Sequence, residues 1–76
     1  MKELVTFIAE SLVDHPESVR VDEVEGRGAT ILELRVASSD MGRVIGKGGR
    51  VVNAMRTLVE VAADRQGRDV VLEVVD

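Results

Sequence analysis

The sequence predicts an α+β fold in the order α-β-β-α-α-β, a three-stranded mixed sheet with three helices on one face. Three observations carry that prediction. Apolar residues recur at offsets of three and four near both the start and the middle of the chain. Between and after those stretches, apolar and polar residues alternate with period two or run as β-branched residues. A glycine-dense break, Gly46-Lys47-Gly48-Gly49, separates a short helical stretch from a longer one.

The first helix runs from Lys2 to Val13, with Leu4, Val5, Ile8 and Leu12 on one face and Phe7 beside them. Asp14-His15-Pro16 ends it, because proline pushes the preceding residue out of the helical region. Val19 and Val21 alternate and begin a strand. Gly26-Arg27-Gly28 is turn chemistry, and Thr30 to Val36 follows as a second strand with Leu32, Leu34 and Val36 on one face. The two strands read as a hairpin. Ser38-Ser39-Asp40 is a cluster of helix-capping residues, with Asp40 read as an N-cap, so a short helix runs on through Met41, Val44 and Ile45. After the glycines a longer helix spans Arg50 to Gln66, with Gly67 at its C-terminus. Its expected buried stripe is Val51, Val52, Met55, Leu58, Val59 and Ala62. Asp69 to Val75 forms the last strand, buried on at least one face. The helical pair between the second and third strands is long enough to be a crossover, so those strands can be parallel neighbours. Residues 1–76 read as a single domain without repeats, linkers or low-complexity tracts.

Composition removes several function classes. The 76 residues include no cysteine and one histidine, His15, which excludes disulfide scaffolds, thiol nucleophiles and His-rich metal sites. No metal or other cofactor is expected. Ser38 and Ser39 have no histidine in a compatible context, so no nucleophile is assigned. Glu17, Asp22, Glu23 and Glu25 are acids without a cluster of matching bases, and nothing in the sequence supports metal binding by them. No apolar run approaches the roughly 20 residues needed to span a bilayer, and the N-terminus reads as no signal peptide. A cytoplasmic, non-enzymatic protein is expected.

The formal net charge is −4, which alone argues against a nucleic-acid partner. Its distribution argues otherwise. Between Asp40 and Arg56 the bases Arg43, Lys47, Arg50 and Arg56 face a single acid, a local charge of +3 that leaves −7 for the remainder. The glycines lie inside this island. Each would cost a helix about 1 kcal/mol relative to alanine, so their use is a tight turn with bare backbone. The next helix starts there and directs its N-terminal N–H groups at the turn. The combination describes an anion site suited to a phosphodiester. Nucleotide-binding loops do not fit. Only three residues separate Gly42 from Gly46-Lys47, and Gly48 stands where a Walker loop has Ser or Thr. A dinucleotide fingerprint would need glycine in place of Val51.

The stretch Val44-Ile45-Gly46-Lys47-Gly48-Gly49-Arg50-Val51-Val52, with Asp40-x-Gly42 ahead of it, resembles the I-G-x-x-G signature of KH domains. The element order resembles the bacterial, type II form of that fold, and the resemblance covers nearly the whole chain. It implies a protein that clamps a short single-stranded RNA through the G-x-x-G loop, in the manner of a post-transcriptional regulator or RNA chaperone. On this sequence the implied RNA-binding residues are Arg43, Val44, Ile45, Gly46, Lys47, Gly48, Gly49 and Arg50. Lys47 and the N–H groups of Gly48 and Gly49 would meet phosphates. Val44 and Ile45 precede the loop, and Ile45 would line an apolar groove for bases. Arg43 and Arg50 would steer or hold the strand, and Gly42 would allow close helix packing or backbone approach. Phe7 is the one aromatic residue, so stacking platforms are not the device. Arg56 and Asn53 are assigned to a solvated helix face, and His15 to a loop.

A second surface is expected on the long helix. Ala54, Thr57 and Val61 extend its apolar stripe by about a quarter turn, so Ala54 and Val61 are assigned to a candidate dimer surface. A homodimer is expected through that surface, and the resemblance implies a further partner, a larger KH-containing protein of the KhpB or Jag kind, in a heterodimer. The alternative is a KH-fold protein-interaction module with little RNA binding of its own, which the net charge permits.

Overall fold

Alternating side chains build the sheet, and the computed structural model describes every residue from Met1 to Asp76. Strand β1 covers Arg20–Glu25, β2 covers Thr30–Arg35 and β3 covers Val70–Val74. β1 and β2 form an antiparallel hairpin in which Val21 faces Leu34 and Glu25 faces Thr30. Its turn is closed by the Gly26 N–H donating to the Ala29 carbonyl at 2.8 Å. β2 and β3 are parallel, with Thr30 opposite Val70 and Leu32 opposite Leu72. The spatial order is β1-β2-β3, so β3 is an edge strand. The mixed sheet and the α-β-β-α-α-β order are those expected.

Helix α1 covers Lys2–Leu12, α2 covers Met41–Ile45 and α3 covers Arg50–Arg65. They cover one face of the sheet, and that face supplies Val21, Leu32, Leu34, Val70 and Leu72 to the core. The opposite face is open. It carries Asp22, Glu33 and Glu73 in one row across the three strands, and Val24, Ile31 and Val71 in another. Arg35 Nη1 lies 3.3 Å from Asp22 and 3.7 Å from Glu33, whereas Glu73 has no ion-pair partner.

The helices turn slightly differently from the expected stripes. On α1 the buried residues are Val5 and Ala9, with Ile8 half-buried, while Leu4 and Leu12 lie at the exposed margin. Ala9 is small, so the helix axis approaches the core closely along that line and the larger side chains splay to its sides. On α3 the buried residues are Val52, Met55, Val59 and Ala63. Ala63 takes the place expected for Ala62, and Leu58 is 52% exposed rather than buried. The reason is periodicity: 52, 55, 59 and 63 form one line on a helix with 3.6 residues per turn, and 58 falls off it. The end of α3 is as expected. The Arg68 N–H donates to Ala63 and the Gly67 N–H to Asp64, at 2.9 and 3.1 Å, which is the Schellman arrangement.

Asp40 is not the side-chain cap expected of it. Its carboxylate makes no capping hydrogen bond to α2. It is 1% exposed and instead accepts the backbone N–H groups of Asp14 and His15, each at 3.0 Å. Ser38–Asp40 forms a 3-10 turn that aims it there. The segment leaving α1 is thereby tied to the start of α2, and Arg43 reinforces the tie with an ion pair to Asp14 at 3.2 Å.

The α2–α3 junction rests on Gly46. Its φ of +75° and ψ of 168° lie where essentially only glycine goes. A Cβ there would also sit 2.5 Å from Val51 Cγ2 and 2.8 Å from the Val51 nitrogen.

Three outcomes are expected in urea unfolding. Gly46→Ala should lose about 3 kcal/mol, from strain and clash together. Gly48→Ala, where φ is +64° but a Cβ meets nothing within 4 Å, should lose about 1 kcal/mol. Asp40→Ala should lose roughly 2 kcal/mol by leaving the part-buried N–H groups of Asp14 and His15 without their acceptor; a loss under about 0.5 kcal/mol would show that water satisfies them.

Candidate nucleic-acid interface

Lys47–Gly49 forms a single 3-10 turn between α2 and α3, and Gly46, Gly48 and Gly49 all have positive φ. The turn closes on itself: the Gly49 N–H donates to the Gly46 carbonyl at 3.1 Å, and the Arg50 N–H donates to the Lys47 carbonyl. The Gly49 N–H, expected to meet a phosphate, is therefore already engaged. Gly48 remains the bare point of the loop, since a side chain built there would stand in open space.

The cations divide into two kinds. Lys47 and Arg50 are exposed, and no carboxylate lies within ion-pair distance of either. Arg43 is half committed, through its pair with Asp14. Two unpaired cations flank a stretch of backbone without side chains, at the N-terminal end of a 16-residue helix whose dipole adds positive potential there. This is an anion-binding geometry built from charge and access rather than from a closed pocket.

The apolar residues ahead of the loop have separate parts. Val44, expected on the RNA side, is fully buried in the core and anchors α2. Ile45 is half-buried beside the loop. Gly42 is exposed, and a Cβ added to it would meet nothing within 4 Å, so helix packing does not require a glycine there.

The structure also brings in residues that sequence reasoning left on a solvated face. Asn53 lies one turn beyond Gly49, with its Nδ2 3.5 Å from where a Gly49 side chain would begin. Arg56 lies about one turn further on. It donates from Nε to the Leu72 carbonyl at 3.2 Å and from Nη1 to Asn53 Oδ1 at 3.3 Å. Leu72 belongs to β3, the open edge of the sheet. Gly49, Asn53, Arg56 and the β3 edge thus form a continuous rim leading away from the loop. The available sequence signal was the spacing 49, 53, 56, which is one helix face starting at the glycines. The facing strand edge could not be read from the sequence.

Ala54 and Val61 are exposed, and the outward turn of Leu58 places a third apolar residue between them. Spaced at i, i+4 and i+7, they form one stripe on α3, on a line separate from Asn53 and Arg56. No group of histidine, cysteine or acidic residues is arranged to hold a metal ion. No helix is long and apolar enough to cross a membrane.

Comparison with known proteins agrees with this architecture. A family model described as the KH domain of KhpA/KhpB matches residues 2–74. The RNA-binding protein KhpA of Clostridium perfringens is 55% identical over 75 residues, covering 99% of this chain and 100% of the relative. The protein of the same name from Borreliella burgdorferi is 47% identical over 74 residues, covering 97% and 90%. That of Treponema pallidum is 47% identical over 75 residues, covering 99% and 94%. With the glycine turn, its cations and the type II element order accounted for along almost the full length, the chain belongs to the KhpA/KhpB family of KH domains.

Proposed function

We propose that this chain is a non-enzymatic RNA-binding module that holds a short single strand across the loop at 46–49. The observation that carries the reading is the pair of unpaired cations, Lys47 and Arg50, flanking the bare backbone at Gly48. A phosphodiester can come close there because no Cβ intervenes, and the charges compensate it once it arrives. Arg43 adds a weaker contribution from behind its pair with Asp14. Ile45 offers an aliphatic wall for a base. The names of the relatives, RNA-binding protein KhpA, support the same class of ligand. Residues 1–76 act in this reading as one KH unit in the cytoplasm, with a role in post-transcriptional regulation or as an RNA chaperone.

One clamp with two free cations grips weakly, so association is the natural complement. The stripe Ala54, Leu58 and Val61 favours pairing through α3, with Leu58 and Val61 about half exposed. A second copy would occupy it in the homodimer. A larger KhpB-type protein would replace that copy in a heterodimer, a partner supported by the family description that spans both proteins. Two linked clamps gain avidity without new contacts to RNA.

Two experiments test these statements. In cells, the double variant Lys47→Asp, Gly48→Asp should lose crosslinked RNA by at least about tenfold while keeping the parent's circular dichroism. RNA recovery unchanged by the double variant would leave the chain as a protein-interaction module. In sedimentation, the parent should run as a dimer and Val61→Lys as a monomer; identical sedimentation would refute the α3 interface.

A further inference from the structure

Ten side chains of this protein are cations, and only Lys2 and Lys47 among them are lysines; the other eight are arginines. The difference is chemical. A guanidinium keeps its proton and is no nucleophile, whereas an amine that has lost its proton is one. In the basic island, Arg43, Arg50 and Arg56 are of the first kind. Lys47 is the island's single amine, and it is exposed on the loop between Gly46 and Gly48.

The two lysines have opposite surroundings. Lys2 lines a shallow depression on α1 together with Glu3 and Glu10, so two carboxylates share its neighbourhood. Around Lys47 the balance is reversed. No acid occurs from Met41 to Val59. Asp40, just before that span, is buried and engaged with the N–H groups of Asp14 and His15. No carboxylate lies within ion-pair distance of Lys47, and Arg50 adds its charge three positions further on. The backbone beside the amine is bare, since a Cβ at Gly48 would meet nothing within 4 Å. An anionic reagent is therefore drawn to Lys47 and repelled from Lys2.

We propose that Lys47 is an acylation site whose donor is an acyl phosphate. The phosphate group is held by the charge of Arg50 over the bare backbone at Gly48, which brings the acyl carbon to the amine. The amine first gives one proton to water. The lone pair of Nζ then attacks the acyl carbon, and the bond from that carbon to the phosphate oxygen breaks. The electron pair leaves with the phosphate, which takes the second proton from nitrogen. The products are the amide and inorganic phosphate. Arg50 stabilises the leaving group and is unchanged. The consequence rests on the reading of the chain as an RNA-binding module: acylation removes the charge of Lys47, leaves Arg50 as the one unpaired cation at the bend, and loosens the hold on a phosphodiester.

The test treats the full chain at low salt with acetyl phosphate and, separately, with acetic anhydride, which is neutral. Tandem mass spectrometry reads the rate of acetylation at Lys47 and at Lys2. With acetyl phosphate, Lys47 should react at least about fivefold faster than Lys2. With the anhydride the two rates should converge. Excess inorganic phosphate should remove the preference, and Arg50→Gln, checked by an unchanged melting curve, should reduce it. Equal rates with acetyl phosphate overturn the inference. So does an equal preference with the neutral anhydride, which would reflect access alone. In cells, Lys47→Gln, which resembles the acetylated side chain, should lower crosslinked RNA by at least about threefold, while Lys47→Arg should retain it. Selective acylation with RNA recovery unchanged in Lys47→Gln overturns the RNA reading and leaves the modification site standing, so the two failures are distinguishable.

Discussion

The parallel pairing of β2 with β3 is the constraint on which the rest of the molecule depends. Two parallel neighbours cannot be joined by a tight turn. The chain must leave the end of β2, cross one face of the sheet and return to the start of β3. Here the crossing is made by α2 and α3, and α3 supplies Val52, Met55, Val59 and Ala63 to the core as it returns. The crossing also has to bend. The bend falls at the glycines, where Gly46 lies against Val51 so closely that no side chain fits. The same connection leaves β3 at the sheet edge with backbone groups facing outward. The loop proposed to meet an anion and the edge beside Arg56 are therefore two results of one topological requirement.

The division of labour among cations follows from what surrounds each of them. Arg43 sits next to the segment leaving α1, within reach of Asp14, and part of its charge is spent holding the fold. Arg56 reaches the β3 edge and is fixed by neutral acceptors. Lys47 and Arg50 are exposed at the bend with no carboxylate within ion-pair distance, and keep their charge for solvent or ligand. Four bases that look equivalent in the sequence thus differ by neighbourhood.

The sequence carried the element types and their order because each rests on a local signal. Leu32 and Leu34 alternate with Glu33 and Arg35, Pro16 stops α1, and Gly67 closes α3. The glycine bend and its cations were legible for the same reason: they are contiguous. Less was legible where a residue's role depends on a distant partner. Asp40 looks like a cap from its neighbours, but its partners are the N–H groups of Asp14 and His15, some 25 residues away. Arg56 looks like a solvated helix residue until β3 is placed beside it. Leu58 and Ala62 look buried because α3 is apolar around more than half of its circumference, and only the position of the sheet decides which line faces inward. Val44, next to the motif, belongs to the core, since α2 is short and has only one side on which to anchor.

The row of Asp22, Glu33 and Glu73 across the open face has a consequence for ionic strength. Like charges opposite one another on neighbouring strands repel, Arg35 offsets only part of that, and the chain outside the basic island carries a surplus of carboxylates. Dissolved ions screen this self-repulsion and favour the folded state. The same ions compete for the cations at the bend and would weaken the hold proposed for them on a polyanion. Electrolyte concentration thus pulls the molecule two ways, toward a firmer scaffold and toward a looser grip in the proposed role.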